Sequence, residues 1–143
     1  MGPTEACTYG GLGAPLVIDE HALTPVAAER RLLDLDNQMT QAELQLRRAR
    51  DAEVDKKHAY EAARRRAGFD KDCPRVARGA ATVDERKQWI DDRCADEQRA
   101  FDLAVAAREA ALDHHRTVRD QAMVAMALLR SVTTAYNISG VSA

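Results

Sequence analysis

Residues 26–67 read VAAERRLLDLDNQMTQAELQLRRARDAEVDKKHAYEAARRRA, forty-odd positions without a glycine or a proline. Thr24 precedes them as a candidate N-cap, and Pro25 sits at the first helical position, where its missing N–H costs nothing. Within the stretch, Ala28, Leu32, Leu35, Met39, Ala42, Leu46, Ala49, Glu53, Lys56, Tyr60, Ala63 and Ala67 recur at alternating steps of four and three. That is the period of a helix whose stripe faces a partner along its whole length. A helix of this length spans roughly 65 Å at ~1.5 Å per residue. It cannot bury its stripe alone, so the sequence must supply a second helix.

The sequence does so after a break. Residues 68–81, GFDKDCPRVARGAA, hold Gly68, Pro74 and Gly79 and stop the first helix. Thr82-Val83-Asp84-Glu85 then forms a capping box. The Thr82 hydroxyl is placed to accept from the Glu85 N–H, and the Glu85 carboxylate to accept from the Thr82 N–H. Asp84 and Glu85 also suit the positive end of the helix dipole. From Val83 no glycine or proline appears until Gly140. A second heptad stripe runs through Ile90, Cys94, Glu97, Phe101, Ala104, Arg108, Ala111, His115, Val118, Ala122, Ala125, Leu129, Val132 and Tyr136. A connector of this length turns the second helix back along the first. The expected fold is therefore all-α: a long antiparallel helical hairpin of coiled-coil type with an extended N-terminal arm. Its segments are the arm at 1–23, helix one at 24–67, a basic loop at 68–81, helix two at 82–137 and a tail at 138–143. Polar stripe residues weaken such a core but fix its register, and Lys56 is a candidate partner for Glu97.

Composition agrees with a slender rod. Of 143 residues, 27 are alanine, and aromatics make up 4% against 31% charged. A thick globular core needs larger side chains than these. The alanines lie along the middle of both stripes, where small residues let helix axes approach closely. The three cysteines, Cys7, Cys73 and Cys94, are odd in number and widely spaced, which fits neither a disulfide framework nor a zinc knuckle. A reducing cytoplasm is expected. Cys94 reads as a small core residue and Cys73 as an exposed loop thiol. Residues 1–21 lack the basic start and long apolar run of a secretory signal. No stretch reaches the ~18 apolar residues of a membrane span.

The two ends of the expected hairpin differ chemically. Leu32, Leu33 and Leu35 of helix one lie near the run Met123, Val124, Met126, Leu128, Leu129 and Val132 of helix two. That run is apolar on all sides, and a helix apolar all round is buried all round. One partner helix cannot cover it. The candidates are docking of the arm, with its apolar Leu16-Val17-Ile18, or self-association into a dimer or four-helix assembly. A different protein partner is the third possibility. The residues just named form the candidate oligomerisation face.

The loop end is basic. Residues 62–79 hold Arg64, Arg65, Arg66, Lys71, Arg75 and Arg78 against Asp70 and Asp72, a local charge of +4 in a chain of net charge −2. Arg86, Lys87 and the aromatics Phe69 and Trp89 lie beside them. Arginine interleaved with aromatics suits phosphates and stacked bases. An acidic protein is the competing ligand. A solvated helix end is the plainer account of Arg64–Arg66, because cations in a last turn meet the helix dipole favourably. Since the chain is not basic overall, a nucleic-acid site has to be local. Adjacent His114 and His115 point apart on a helix and make a poor metal site, and His115 reads as a stripe histidine. No phosphate-binding or nucleophile motif is present. The sequence thus predicts no enzyme activity, no cofactor, no small-molecule substrate and no metal.

A long Ala/Arg-rich helix, a short break, and a Thr82-Val83-Asp84-Glu85-Arg86 start to a second Ala-rich helix resemble a family of small hairpin proteins. These are encoded by tailed phages of actinobacteria, often among recombination and replication genes. The resemblance spans residues 26–136 and leaves the Gly-rich arm outside. It implies a phage-encoded hairpin acting in the cytoplasm of a bacterial host, and assigns no functional residue. The leading expectation is a non-enzymatic adaptor, self-associating and assisting DNA transactions through its basic tip. The alternative is a virion structural or assembly protein that binds no nucleic acid.

Overall fold

A computed structural model describes residues 24–140 of the chain. The arm at residues 1–23, with Leu16-Val17-Ile18, lies outside the described residues, as does the end of the tail at 141–143. The fold is all-α: α1 (Pro25–Gly68), α2 (Val83–Arg93) and α3 (Ala95–Gly140), with no strand among the described residues.

α1 starts where its cap chemistry dictates. The Thr24 hydroxyl accepts from the Ala27 N–H at 3.2 Å, and Pro25 opens the first turn. At its far end Arg65 and Arg66 occupy the last turn, and the Phe69 N–H donates to the carbonyls of Arg65 and Arg66 at 3.2 Å each. These bonds satisfy carbonyls that a helix end otherwise leaves open.

α1 and α3 pack along one another. As their contacts ascend α1 they descend α3: Glu43 lies 3.9 Å from His115, Glu53 pairs with Arg108, and the Tyr60 and Phe101 rings stack with centroids 6.3 Å apart. The two helices therefore run antiparallel. Apart from Cys73 in the loop, the buried positions are those of the heptad stripes. Ala28, Leu35, Ala42, Leu46, Ala63 and Ala67 of α1 are buried, as are Cys94 and, on α3, Val118, Ala125 and Val132. Most of the remaining stripe positions are half-buried, including Leu32, Met39, Ala104, Ala111 and Leu129. Ala42 is buried to 1% exposure, so the backbones approach closely where the side chains are smallest.

Four expectations need correction. First, the second helix is interrupted. Cys94 has φ −107° and ψ 14°, and its N–H is shared between the carbonyls of Ile90 and Asp91 at 3.1 and 3.2 Å. One turn tightens there while the Cys94 thiol packs against Ala63 and Ala67. The hydrogen-bond ladder resumes at once, with the Gln98 N–H donating to the Cys94 carbonyl at 2.9 Å. Second, the helix does not end at Asn137. α3 continues to Gly140, absorbing the first residues assigned to the tail, because nothing at Asn137 supplies a competing cap. Third, Lys56 is exposed and does not meet Glu97, which instead lines a small groove with Ala63 and Arg66. The register set by Glu53 and Arg108 places Glu97 about one heptad beyond Lys56. Tyr136, at the last stripe position, is likewise 51% exposed. Fourth, Cys73 is buried rather than an exposed loop thiol.

Candidate interaction surfaces at the two ends

The tip is closed by hydrogen bonds. The capping box forms as the sequence predicts: the Thr82 N–H donates to the Glu85 carboxylate at 2.7 Å, and the Glu85 N–H to the Thr82 hydroxyl at 3.2 Å. This fixes the start of α2 and so the position of Arg86. The Arg86 guanidinium donates to the Gly68 carbonyl at 2.8 Å and to the Pro74 carbonyl at 3.1 Å. It therefore ties the end of α1, the loop and α2 together. Gly79 has φ +86°, a conformation that side-chain-bearing residues rarely adopt, and lets the loop turn back toward Thr82.

The predicted cations of the tip fall into two groups. Arg64 lies 3.5 Å from Asp91 and 5.8 Å above the Tyr60 ring. Arg93, which follows them in sequence, lies 3.5 Å from Asp70 and 5.3 Å above the Trp89 ring. With Arg86, these hold the tip together. Trp89 is half-buried against the Ala63–Ala67–Cys94 cluster and does not present a free stacking face. The Arg86 guanidinium is thus engaged by carbonyls of the loop and the end of α1, and Trp89 by the small core at the tip. The second group stays outside. Arg65, Arg66, Lys71, Arg75, Arg78 and Lys87 are exposed, with no ion-pair partner among the described residues. Phe69, 89% exposed, projects among them. Asp84, Glu85, Asp91 and Asp92 of α2 dilute the positive field, so the basic surface belongs to the end of α1 and the loop.

Burial pushes the Cys94 thiol above its ordinary pKa, with Glu97 and Asp91 adding to the rise and Arg64 and Arg66 opposing it. The thiol is therefore kept protonated and acts as a packing group.

The open end has the opposite character. Leu35 and Val132 are buried in the α1–α3 seam, and Leu32 and Leu129 are half-buried in it. These four contribute to the packing of α1 against α3. Leu33, Met123, Val124, Met126 and Leu128 remain 67%, 64%, 69%, 44% and 41% exposed. They lie along both sides of the helix pair. One side is an open groove lined by Leu32, Leu33, Met39, Ala122 and Met126, rimmed by Glu29 and Asp36. The other is lined by Val124, Ala125 and Leu128, rimmed by Arg31 and Asp120.

Between the ends lies a feature the sequence reading missed. Arg47 and Arg50 of α1 line one groove with Arg116 and Arg119 of α3, together with Glu43, Leu46, Leu112 and His115. Two Arg pairs spaced three apart beside the stripes were the available signal. Only the inter-helix register shows that they face each other. Among the described residues no group of three His, Cys, Asp or Glu side chains is arranged to hold a metal ion, and no helix is long and apolar enough to cross a membrane. Comparison with protein-family models, curated proteins and solved structures yields no match.

Proposed function

We propose that this chain is a non-enzymatic helical-hairpin adaptor of coiled-coil type, encoded by a tailed phage and acting in the host cytoplasm. It self-associates through its open end and assists DNA transactions through its basic tip. The observation that carries this reading is a cluster of like groups at each end of the helix pair. Exposed large apolar side chains adjoin one another at one end (Leu33, Met123, Val124, Met126, Leu128), and exposed cations with no ion-pair partner among the described residues adjoin one another at the other (Arg65, Arg66, Lys71, Arg75, Arg78, Lys87). Apolar surface left exposed on two sides favours a second hairpin, because one added segment covers one side. Exposed arginines without acid partners favour a polyanion, which releases counterions as it binds.

Charge reversal tests the tip. Changing Arg65, Arg66, Arg75 and Arg78 to Glu is expected to abolish DNA binding, and binding by the unaltered chain is expected to weaken steeply as salt rises. Tight binding that ignores both salt and those charges contradicts the proposal. A second reading, a virion or assembly protein without affinity for nucleic acid, is favoured by one specific fact: Arg64, Arg86 and Arg93 are already engaged within the tip. It predicts a stable oligomer that leaves DNA free at all salt concentrations.

A further inference from the structure

We infer that the groove between Arg47 and Arg50 of α1 and Arg116 and Arg119 of α3 is a second phosphate-binding surface, so that the helix pair lies lengthwise along a nucleic-acid backbone. The inference rests on the reading of the tip as a DNA contact and extends that contact along the molecule.

Four guanidinium groups line this groove of about 450 Å³, and they share it with a single carboxylate, Glu43. That carboxylate lies 3.9 Å from the His115 imidazole across the groove. Arg47 and Arg50 are exposed and have no ion-pair partner among the described residues. Arg116 and Arg119 hold only Asp113 and Asp120, each at 3.4 Å, through side chains more than half exposed. Exposed pairs of this kind contribute little and yield readily to a stronger acceptor. A phosphate is such an acceptor, because the planar guanidinium presents two parallel donors to its oxygens. The floor, Leu46 and Leu112, offers no competing polar group.

The same flank of α1 connects the groove to the tip. Arg50, Lys57 and Arg64 recur at intervals of seven, about 10 Å apart along the axis, and so stay on nearly one side of the helix. The facing row of α3 turns acidic at Glu109 and Asp102, which confines the path to α1. From Arg50 to Arg64 is about 21 Å, less than one turn of B-form DNA at ~34 Å. A duplex backbone following that row from the groove reaches the end of α1, where Arg64 is paired with Asp91 and the next residue, Arg65, is exposed. No Phe, Tyr or Trp lines the groove, so it has no platform for unstacked bases. It grips a backbone without reading sequence.

The test is a salt titration of binding to a labelled DNA duplex about three helical turns long. It uses the full chain, an Arg47→Gln/Arg50→Gln variant and an Arg65→Gln/Arg66→Gln/Arg75→Gln/Arg78→Gln variant, each with its helicity checked. The groove variant is expected to keep its helicity and to lower the slope of log K against log salt by about two, because two phosphate contacts are lost. An RNA duplex of the same sequence is expected to show the same loss, and would point to the shared phosphate chemistry rather than to DNA alone. If the groove variant keeps the full slope while the tip variant loses slope, the groove inference is overturned and the tip reading stands. If the groove variant loses slope and the tip variant does not, the groove stands and the tip reading fails. An unaltered chain that binds neither duplex overturns both.

Discussion

The tip and the open end of the helix pair are built from the same kind of sequence, long helix with a heptad stripe, yet they finish differently. At the tip, backbone groups that a chain reversal leaves open are taken up locally. The capping box closes α2, and Arg86 reaches the carbonyls of Gly68 and Pro74. At the open end no such closure is present among the described residues, and Leu33, Met123, Val124, Met126 and Leu128 stay exposed. The contrast teaches which residues are free to act on something else. A charged residue beside a loop can be spent on closing that loop, as Arg86 of α2 is. A cluster of apolar residues beside a stripe has no local use, and its exposure points outward.

Substitutions in the seam are expected to have the largest effect. Leu35→Ala removes a side chain 3% exposed in the open-end seam and is expected to cost about 2–5 kcal/mol in thermal or denaturant unfolding. Leu33→Ala, two residues away and 67% exposed, is expected to change monomer stability by less than about 0.5 kcal/mol. Equal losses would mean that the open end is not divided into a buried seam and an exposed flank. At the tip, Arg86→Ala strands two carbonyls and is expected to cost about 1–3 kcal/mol, while Arg78→Ala costs almost nothing. If the two arginines prove interchangeable in stability, the clamp assigned to Arg86 is absent. Thr82→Ala deletes half of the capping box and is expected to cost about 0.5–2 kcal/mol, seen as fraying of α2 by hydrogen exchange.

A smaller effect concerns pH. The Cys94 thiol has a raised pKa in the folded chain, so the folded state holds that proton more tightly than the unfolded state does. Its contribution to stability is complete below the ordinary thiol pKa near 8.5 and declines as pH rises through the folded value. Unfolding measured between neutral and alkaline pH is expected to show that decline, and Cys94→Ala is expected to remove it. An unchanged alkaline profile in the variant would place its origin elsewhere.

Much of this was legible in the sequence because the stripes carry their own periodicity. Ala28, Leu35, Ala42 and Leu46, chosen by spacing alone, are buried, and so are Val118, Ala125 and Val132. The caps at Thr24 and Thr82 were equally legible, since their partners lie three residues away. What the sequence concealed depends on contacts between distant residues. The Lys56–Glu97 pairing failed by about one heptad because both registers satisfy the stripes equally. Arg86 looked like a free cation until Gly68 and Pro74, 18 and 12 residues away, were placed against it. Leu35 and Val132 looked available to a second chain because the all-round apolar run masks which of its faces meets α1. The cationic groove was hidden for the same reason, since Arg47 and Arg119 share a face only in the observed register.

In the proposed self-association, the open end is an unfinished core completed by a second copy. Light scattering on the full chain, beside a Val124→Glu/Met126→Glu variant, tests it most directly. Both substituted residues are exposed and outside the buried seam, so the variant's helicity is expected to persist. The expected mass is a multiple of 15.8 kDa for the unaltered chain and 15.8 kDa for the variant. A mass of 15.8 kDa for the unaltered chain at every concentration tested would contradict it.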